Sequence, residues 1–227
     1  MKLYLLLIVL LPFAGFLING LLRKQLSKGI IGTIGSGVVL GSFILSILAF
    51  FDVKANGGQV IKYFDFINVG SVKIPFAFQI DQLSAIFLLI ITGVGFLIHV
   101  YSTSYMHEEK EEHFGRYFSY LNLFIFSMLL LVLGENFLIL FIGWEGVGLC
   151  SYLLIGYWFK RKDYNKAASK AFIMNRIGDF AFLIALFMLV GKLGTLSFNE
   201  IFTPAALAKL SPKDITAITM LLFVGAP

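Results

Sequence analysis

One carboxylate stands in the middle of a long apolar stretch. Glu145 lies within Gly143-Trp144-Glu145-Gly146-Val147-Gly148-Leu149-Cys150-Ser151-Tyr152, inside a run from about Phe137 to Phe159. As a helix, those 23 residues reach across a hydrocarbon core of roughly 30 Å. An acid at that depth costs about 2.5–3.5 kcal/mol on the insertion scale, so it must face protein or water and not lipid. Two chemistries suit such a group: carrying a proton, or pairing with a cation on a neighbouring helix as a purely structural contact. The first is the default for an acid inside a membrane span. Gly143, Gly146 and Gly148 flank it, which permits close helix packing and leaves room for ordered water. Tyr152, seven residues on, returns to nearly the same helix face.

A later apolar run carries Arg176 and Asp179. At a spacing of i, i+3 they meet on one helix face, about two turns inside the cytoplasmic end of the expected span. A pair costs less in lipid than two isolated charges. It either tunes a nearby acid or only orients its own helix, and spacing alone leaves both open. Lys170, six residues before Arg176, can snorkel to the interface. His99 sits near the end of another run; it is a proton shuttle near neutral pH or a satisfied interface residue. Asp81 precedes a helix and reads as an N-terminal anion. His107 and His113 fall in a glutamate-rich loop. A zinc-protease motif starting at His107-Glu108 needs histidine at position 111, which is Glu111. A glycine-rich phosphate loop, a cysteine cluster and a deep pair of histidines are all lacking in the sequence, so nothing in it points to a bound redox cofactor or metal.

The elements that position these residues follow from composition. The chain is 59% hydrophobic and 14% charged, with mean hydropathy +0.89. Soluble domains run at about 45–50% and 25%, so the pattern excludes an ordinary soluble enzyme and predicts a polytopic membrane protein. The net charge of +5 sits in loops between apolar runs and reads as a topology signal, not a nucleic-acid footprint. With Cys150 alone, no internal disulfide is possible. The first apolar run exceeds a signal-peptide core of about 7–15 residues and predicts a retained helix.

Helices are expected over about Leu3–Leu22, Ile30–Phe51, Gln82–Tyr101, Arg116–Leu133, Phe137–Phe159 and Lys170–Val190. Gly37 and Gly41 are spaced for close helix approach. Alternation through Val72, Ile74, Phe76, Phe78 and Ile80, after an Ile61–Ile67 run and turn residues Asn68–Ser71, predicts a β-hairpin on the outer face between helices 2 and 3. A charged loop is expected over Ser102–Gly115 and a polar stretch over Gly191–Asp214. A seventh run starts at Ile215 and is 13 residues long at Pro227, short of the roughly 20 a span needs; the expectation is a fragment cut within a transmembrane element. Ten lysines and arginines fall on the side of the short loops after helices 1, 3 and 5, and seven on the other. The positive-inside rule then places those loops in the cytoplasm and the N-terminus outside.

The stretch Gly143 to Gly156 closely resembles the fifth-helix signature of the subunit L family of bacterial NADH:quinone oxidoreductase, respiratory complex I, whose mitochondrial counterpart is NADH dehydrogenase subunit 5. Thr92-Gly93-Val94-Gly95-Phe96-Leu97-Ile98-His99, Tyr120-Leu121-Asn122-Leu123-Phe124-Ile125, Asn175-Arg176-Ile177-Gly178-Asp179 and Gly194-Thr195-Leu196 agree with it. The resemblance covers essentially the whole chain. It implies an all-α, antiporter-like bundle with residues 1–115 as the N-terminal helices and outer hairpin, and residues 116–227 as the start of a proton-translocating repeat. It implies a multi-pass subunit of the cell (inner) membrane that binds no cofactor itself, with NADH, FMN, iron–sulfur clusters and quinone in partner subunits. The expected partners are the other membrane-arm subunits, especially the antiporter-like subunit M, and the bilayer, with no nucleic acid. Glu145 matches the family's helix-5 glutamate, which pairs with a lysine on a broken seventh helix; that lysine is expected beyond Pro227. Asp179 and Arg176 match charged positions that tune the pair, and Lys170 a basic position nearby. The competing functions are the large subunit of a Mrp-type cation/proton antiporter or of a membrane-bound hydrogenase complex, and a non-transporting membrane scaffold.

Overall fold

The structure is a computed structural model and describes residues 1–70 and 72–226. The chain runs α1 (Lys2–Leu21), α2 (Lys28–Asn56), β1 (Gln59–Val69), β2 (Val72–Ile80), α3 (Gln82–Tyr105), α4 (Glu111–Leu133), α5 (Phe137–Ile155), α6 (Lys162–Leu193), α7 (Phe198–Ile201), α8 (Pro204–Leu207) and α9 (Pro212–Gly225). Among the described residues, α1 to α6 are long and apolar enough to cross a membrane. The all-α architecture with one small hairpin is the expected fold class, and α9 is the seventh run.

The helices pack largely as sequence neighbours, α1 on α2, α2 on α3, α4 on α5 and α5 on α6, with α1 also on α4 and α6 on α9. One apolar core joins the first four helices and β2 through Leu5, Ile8, Val39, Phe78, Leu88 and Leu129. A second joins α5, α6, α7 and α9 through Phe141, Phe182, Leu186, Leu189, Ile201 and Ile218. Two kinds of end result. At one end the turns after α1, α3 and α5 interlock. Lys28 Nζ donates to His107 O at 2.9 Å, Trp158 Nε1 to Glu109 Oε1 at 2.8 Å, and Tyr157 Oη to His113 O at 2.8 Å. The opposite end holds the antiparallel β1–β2 hairpin. Buried Asn136 organises it. Its Oδ1 accepts from Leu138 N at 3.1 Å and Ile139 N at 3.0 Å, capping α5. Its Nδ2 donates to Pro75 O in β2 at 2.9 Å. Beside it the buried Glu135 accepts from the Ser197 hydroxyl, tying the hairpin, α5 and the α6–α7 link together.

Several boundaries differ from the sequence expectation. Asp81 does cap α3, in a reciprocal box with Ser84. The hairpin is longer than predicted, with Asn68 and Val69 still in β1; Ser71 lies outside the described residues. The charged loop is shorter, because α4 begins at Glu111 and takes in Glu112 and His113; acids in a first helical turn favour the helix dipole. The apolar run of α5 stops being helical at Ile155, and Tyr157 turns inward as part of the interlocked end. α6 begins eight residues early, at Lys162. Hydropathy marks the lipid-facing part of a helix, whereas Lys and Ala continue the helix beyond it. Within the 32-residue α6, Arg176 and Asp179 lie near the middle. The expected polar stretch holds α7 and α8, and a Ser211–Asp214 capping box with Pro212 starts α9.

The glycine expectation is met at only one of its two positions. A Cβ on Gly37 would meet nothing within 4 Å, and one on Gly41 only Leu11 Cδ1 at 3.2 Å. Gly143 is pressed against the backbone of another helix: a Cβ there would lie 2.7 Å from Leu131 Cα of α4. That contact is with backbone, so the two helices must separate to admit a methyl group. Gly143→Ala is expected to destabilise the full-length protein by about 1–3 kcal/mol. Gly37→Ala is expected to be neutral or to stabilise by up to about 1 kcal/mol through helix propensity. Thermal unfolding of the two variants in detergent, side by side, checks the contrast.

Candidate functional site

The close α4–α5 contact decides which face of α5 is free. Gly143 and Gly146 both press against α4, at Leu131 and Ser127, whereas Gly148 looks toward Asn175 of α6. Glu145 lies on the side turned to α6, and there it meets the expected charges. The Arg176 guanidinium donates from Nη1 to Glu145 Oε2 and reaches Asp179 Oδ2 at 3.6 Å. Trp144, next to Glu145, donates from Nε1 to Asp179 Oδ1 at 3.0 Å. Its ring lies against Phe182 at 6.4 Å between centroids. The Arg176 guanidinium also sits 4.8 Å from the centre of the Phe172 ring, and Phe172 packs on Tyr152 at 5.2 Å.

Burial is graded across this group. The Asp179 side chain is 8% exposed, Glu145 22% and Arg176 46%. Both acids are inward and the cation is at the rim. Two carboxylates therefore share one guanidinium, and among the described residues no second cation lies within 4.0 Å of either. With every group ionised the cluster carries one negative charge too many for a low-dielectric site, where an uncompensated ion is strongly disfavoured. A proton, or a second cation brought alongside, removes the excess. That is the chemistry the geometry offers.

The last turn of α9 comes to the same place. A Cβ on Gly178, between Arg176 and Asp179, would meet Val224 O at 3.4 Å and Gly225 Cα at 3.5 Å. The two glycines let α6 and α9 approach with little between their backbones, which delivers the chain at Gly225 to the edge of the cluster.

The structure thus brings Glu145, Arg176 and Asp179 together and leaves Lys170 apart. Lys170 is exposed on α6 beside Lys166, Ile173 and Met174 and has no acid within 4.0 Å among the described residues. His99 belongs to a different part of the bundle. It is buried in α3, its Nδ1 is 2.7 Å from Gly95 O, and its ring packs on Phe118. Trp144 and Phe172 were missed as members of the site. A tryptophan N–H in a buried setting demands an acceptor, and that demand beside Glu145 was the available signal. Among the described residues, no group of three His, Cys, Asp or Glu side chains is placed to hold a metal ion.

Comparison with known proteins bears on this geometry. Residues 66–118 match the family described as NADH-Ubiquinone oxidoreductase (complex I), chain 5 N-terminus. Residues 134–227, which contain the whole cluster, match NADH:quinone oxidoreductase/Mrp antiporter, TM. The chain is 40% identical over 224 residues to NADH-quinone oxidoreductase subunit L of Rickettsia felis, covering 96% of this chain and 34% of that protein. It is 40% identical to subunit L of Escherichia coli K12, covering 94% and 35%, and 40% identical to NADH-ubiquinone oxidoreductase chain 5 of Metridium senile, covering 97% and 36%. The chain spans about a third of the length of these relatives. Two solved structures share the fold. One is the membrane-bound sulfane sulfur reductase, an archaeal respiratory membrane complex, with TM-score 0.83 at 19% identity over 99% of this chain and 44% of that one. The other is the Mrp complex from Dietzia sp. DQ12-45-1b, with TM-score 0.80 at 23% identity over 98% and 23%. Six apolar helices and these matches make it a multi-pass membrane protein, and the chain belongs to the antiporter-like family that NADH-quinone oxidoreductase subunit L and chain 5 represent.

Proposed function

We propose that this chain is the N-terminal part of a proton-translocating, non-redox membrane subunit of NADH:quinone oxidoreductase, and that Glu145 is its proton-carrying group. The observation that carries the reading is the charge imbalance of the cluster: two inward carboxylates on α5 and α6 share the single guanidinium of Arg176. In this reading the antiporter-like repeat begins with α4, and NADH, FMN, iron–sulfur clusters and quinone belong to partner subunits, with subunit M as the neighbour. The Lys/Arg bias of the loops supports an inner-membrane subunit with its N-terminus outside.

The physical step is electrostatic. A cation close to a carboxylate favours its ionised form, and withdrawal of that cation favours proton uptake. Arg176 already contacts both acids, so a small swing between Asp179 and Glu145 redistributes the one positive charge. The lysine that the family places on a broken seventh helix would enter beside the last turn of α9, which packs on Gly178. A cation arriving there expels the proton of Glu145, and its retreat lets the site reload. Lys170, exposed on α6, is positioned to hold potential at the loop end and not to pair directly.

A Mrp-type antiporter subunit is the second reading, favoured by the family description for residues 134–227. The two differ in assembly: NADH oxidation by the purified complex holding the full-length protein supports the first, and its absence with retained cation/proton exchange supports the second.

Two outcomes are expected of variants in the full-length protein within its assembled complex. Glu145→Gln lowers the protons moved per electron, while the complex still assembles; pumping indistinguishable from the parent contradicts the assignment. Trp144→Phe removes the indole donor from Asp179 and leaves a buried acceptor short of a partner. This costs about 1–3 kcal/mol in thermal unfolding, and it shifts the pH profile of pumping, which a purely structural loss would not do.

A further inference from the structure

Arg116, near the start of α4, is a cation without a counter-ion. Among the described residues no carboxylate lies within 4.0 Å of it. Glu109, in the same interlocked end, is taken up by Trp158 Nε1 at 2.8 Å and His113 Nδ1 at 3.6 Å. The Arg116 guanidinium lies 5.0 Å from the Tyr157 ring centre and 4.9 Å from that of Phe159. Its Nη2 donates to Tyr157 O at 3.1 Å, and its buried Nε–H has no acceptor. Two aromatic rings cover part of this group without neutralising it. A half-buried guanidinium of this kind is matched by an oxyanion, for which its planar donor set is suited.

A pocket of about 190 Å³ opens beside it, lined by Arg116, Tyr120, Tyr152, Phe159 and Asn165. That space admits a small anionic group and is too small for a whole lipid. Lys160, Arg161, Lys162 and Lys166 follow directly in the chain, all exposed. Trp158, Phe159 and Tyr164 are exposed at the same level, as expected for aromatic side chains at a membrane–water boundary. Basic pockets between transmembrane helices at that level bind anionic headgroups.

We propose that the α4–α5–α6 pocket at Arg116 is a binding site for the phosphate of an anionic membrane lipid. Arg116 takes the phosphate oxygens, the Tyr120 hydroxyl assists, and the lysine-rich turn supplies the field that prefers a net-anionic headgroup to a zwitterionic one. The acyl chains then lie along the apolar outer faces of α5 and α6.

The test uses the full-length protein with the subunits that co-purify with it, delipidated in detergent and titrated with phosphatidylglycerol, phosphatidylcholine or inorganic phosphate. Bound lipid is counted by native mass spectrometry. The expected result is one phosphatidylglycerol that is retained over phosphatidylcholine, is not displaced by inorganic phosphate, and binds about ten-fold or more weakly in Arg116→Gln, the effect of one charge-assisted contact. Equal retention by parent and Arg116→Gln overturns the proposal. Displacement by inorganic phosphate overturns the lipid assignment in favour of a free-anion site. If Arg116→Gln fails to assemble, Tyr120→Phe decides: about three-fold or more weaker binding supports the site, as for loss of one neutral hydrogen bond, and unchanged binding overturns it.

Discussion

The structure depends on one electrostatic constraint: two carboxylates inside a membrane bundle share a single guanidinium. Glu145 and Asp179 together carry one negative charge more than Arg176 offsets, and such an excess is costly in a low-dielectric bundle. Much of the local architecture serves to hold that unbalanced arrangement in place. Gly143 and Gly146 press α5 onto α4, so the glutamate between them turns toward α6. Trp144 then reaches over to fix Asp179, and the stack of Trp144, Phe141 and Phe182 walls the acids from one side. On the other side Phe172 carries the guanidinium on its face. Such a site is stable only while something supplies the missing charge, which makes its protonation responsive to any cation that approaches.

The two ends of the bundle have different tasks. The hairpin end is a closed latch: Asn136 and Glu135 join β2, the α4–α5 turn and the α6–α7 link through buried polar contacts. The interlocked loop end is more open and cationic, and it carries the Arg116 pocket. Tyr152 belongs to both regions. It lines that pocket and packs on Phe172 beneath Arg176, about 10 Å along the helix from Glu145 at 1.5 Å per residue. Occupancy of the pocket and the position of the guanidinium are thus mechanically adjacent on α5 and α6.

Reading the sequence recovered the spans because lipid imposes a strong length and hydropathy constraint. The hairpin was recoverable because its alternation has a period of two. Glu145, Arg176 and Asp179 stood out because charge inside an apolar run has few explanations, and the structure places the three in one cluster. Boundaries set by polar residues were harder. The Lys162–Ser169 turns of α6 and the Glu111–Gly115 start of α4 are helix by propensity and by acids in the first turn, not by hydropathy. Gly37 looked like a packing position beside Gly41 because spacing carries no information about which face meets a neighbour. Trp144 and Phe172 were passed over because their roles are relational: an indole donor and an aromatic face acquire meaning only once Asp179 and Arg176 are opposite them.

The most direct measurement is infrared difference spectroscopy on the assembled complex carrying the full-length protein, comparing the resting state with turnover. The account predicts a carboxylic-acid carbonyl band that appears or disappears with turnover and is lost in Glu145→Gln, reporting a change in the proton held at Glu145. An identical difference spectrum in parent and Glu145→Gln, with proton pumping intact, would mean that Glu145 is a structural ion-pair partner of Arg176 and not the proton carrier.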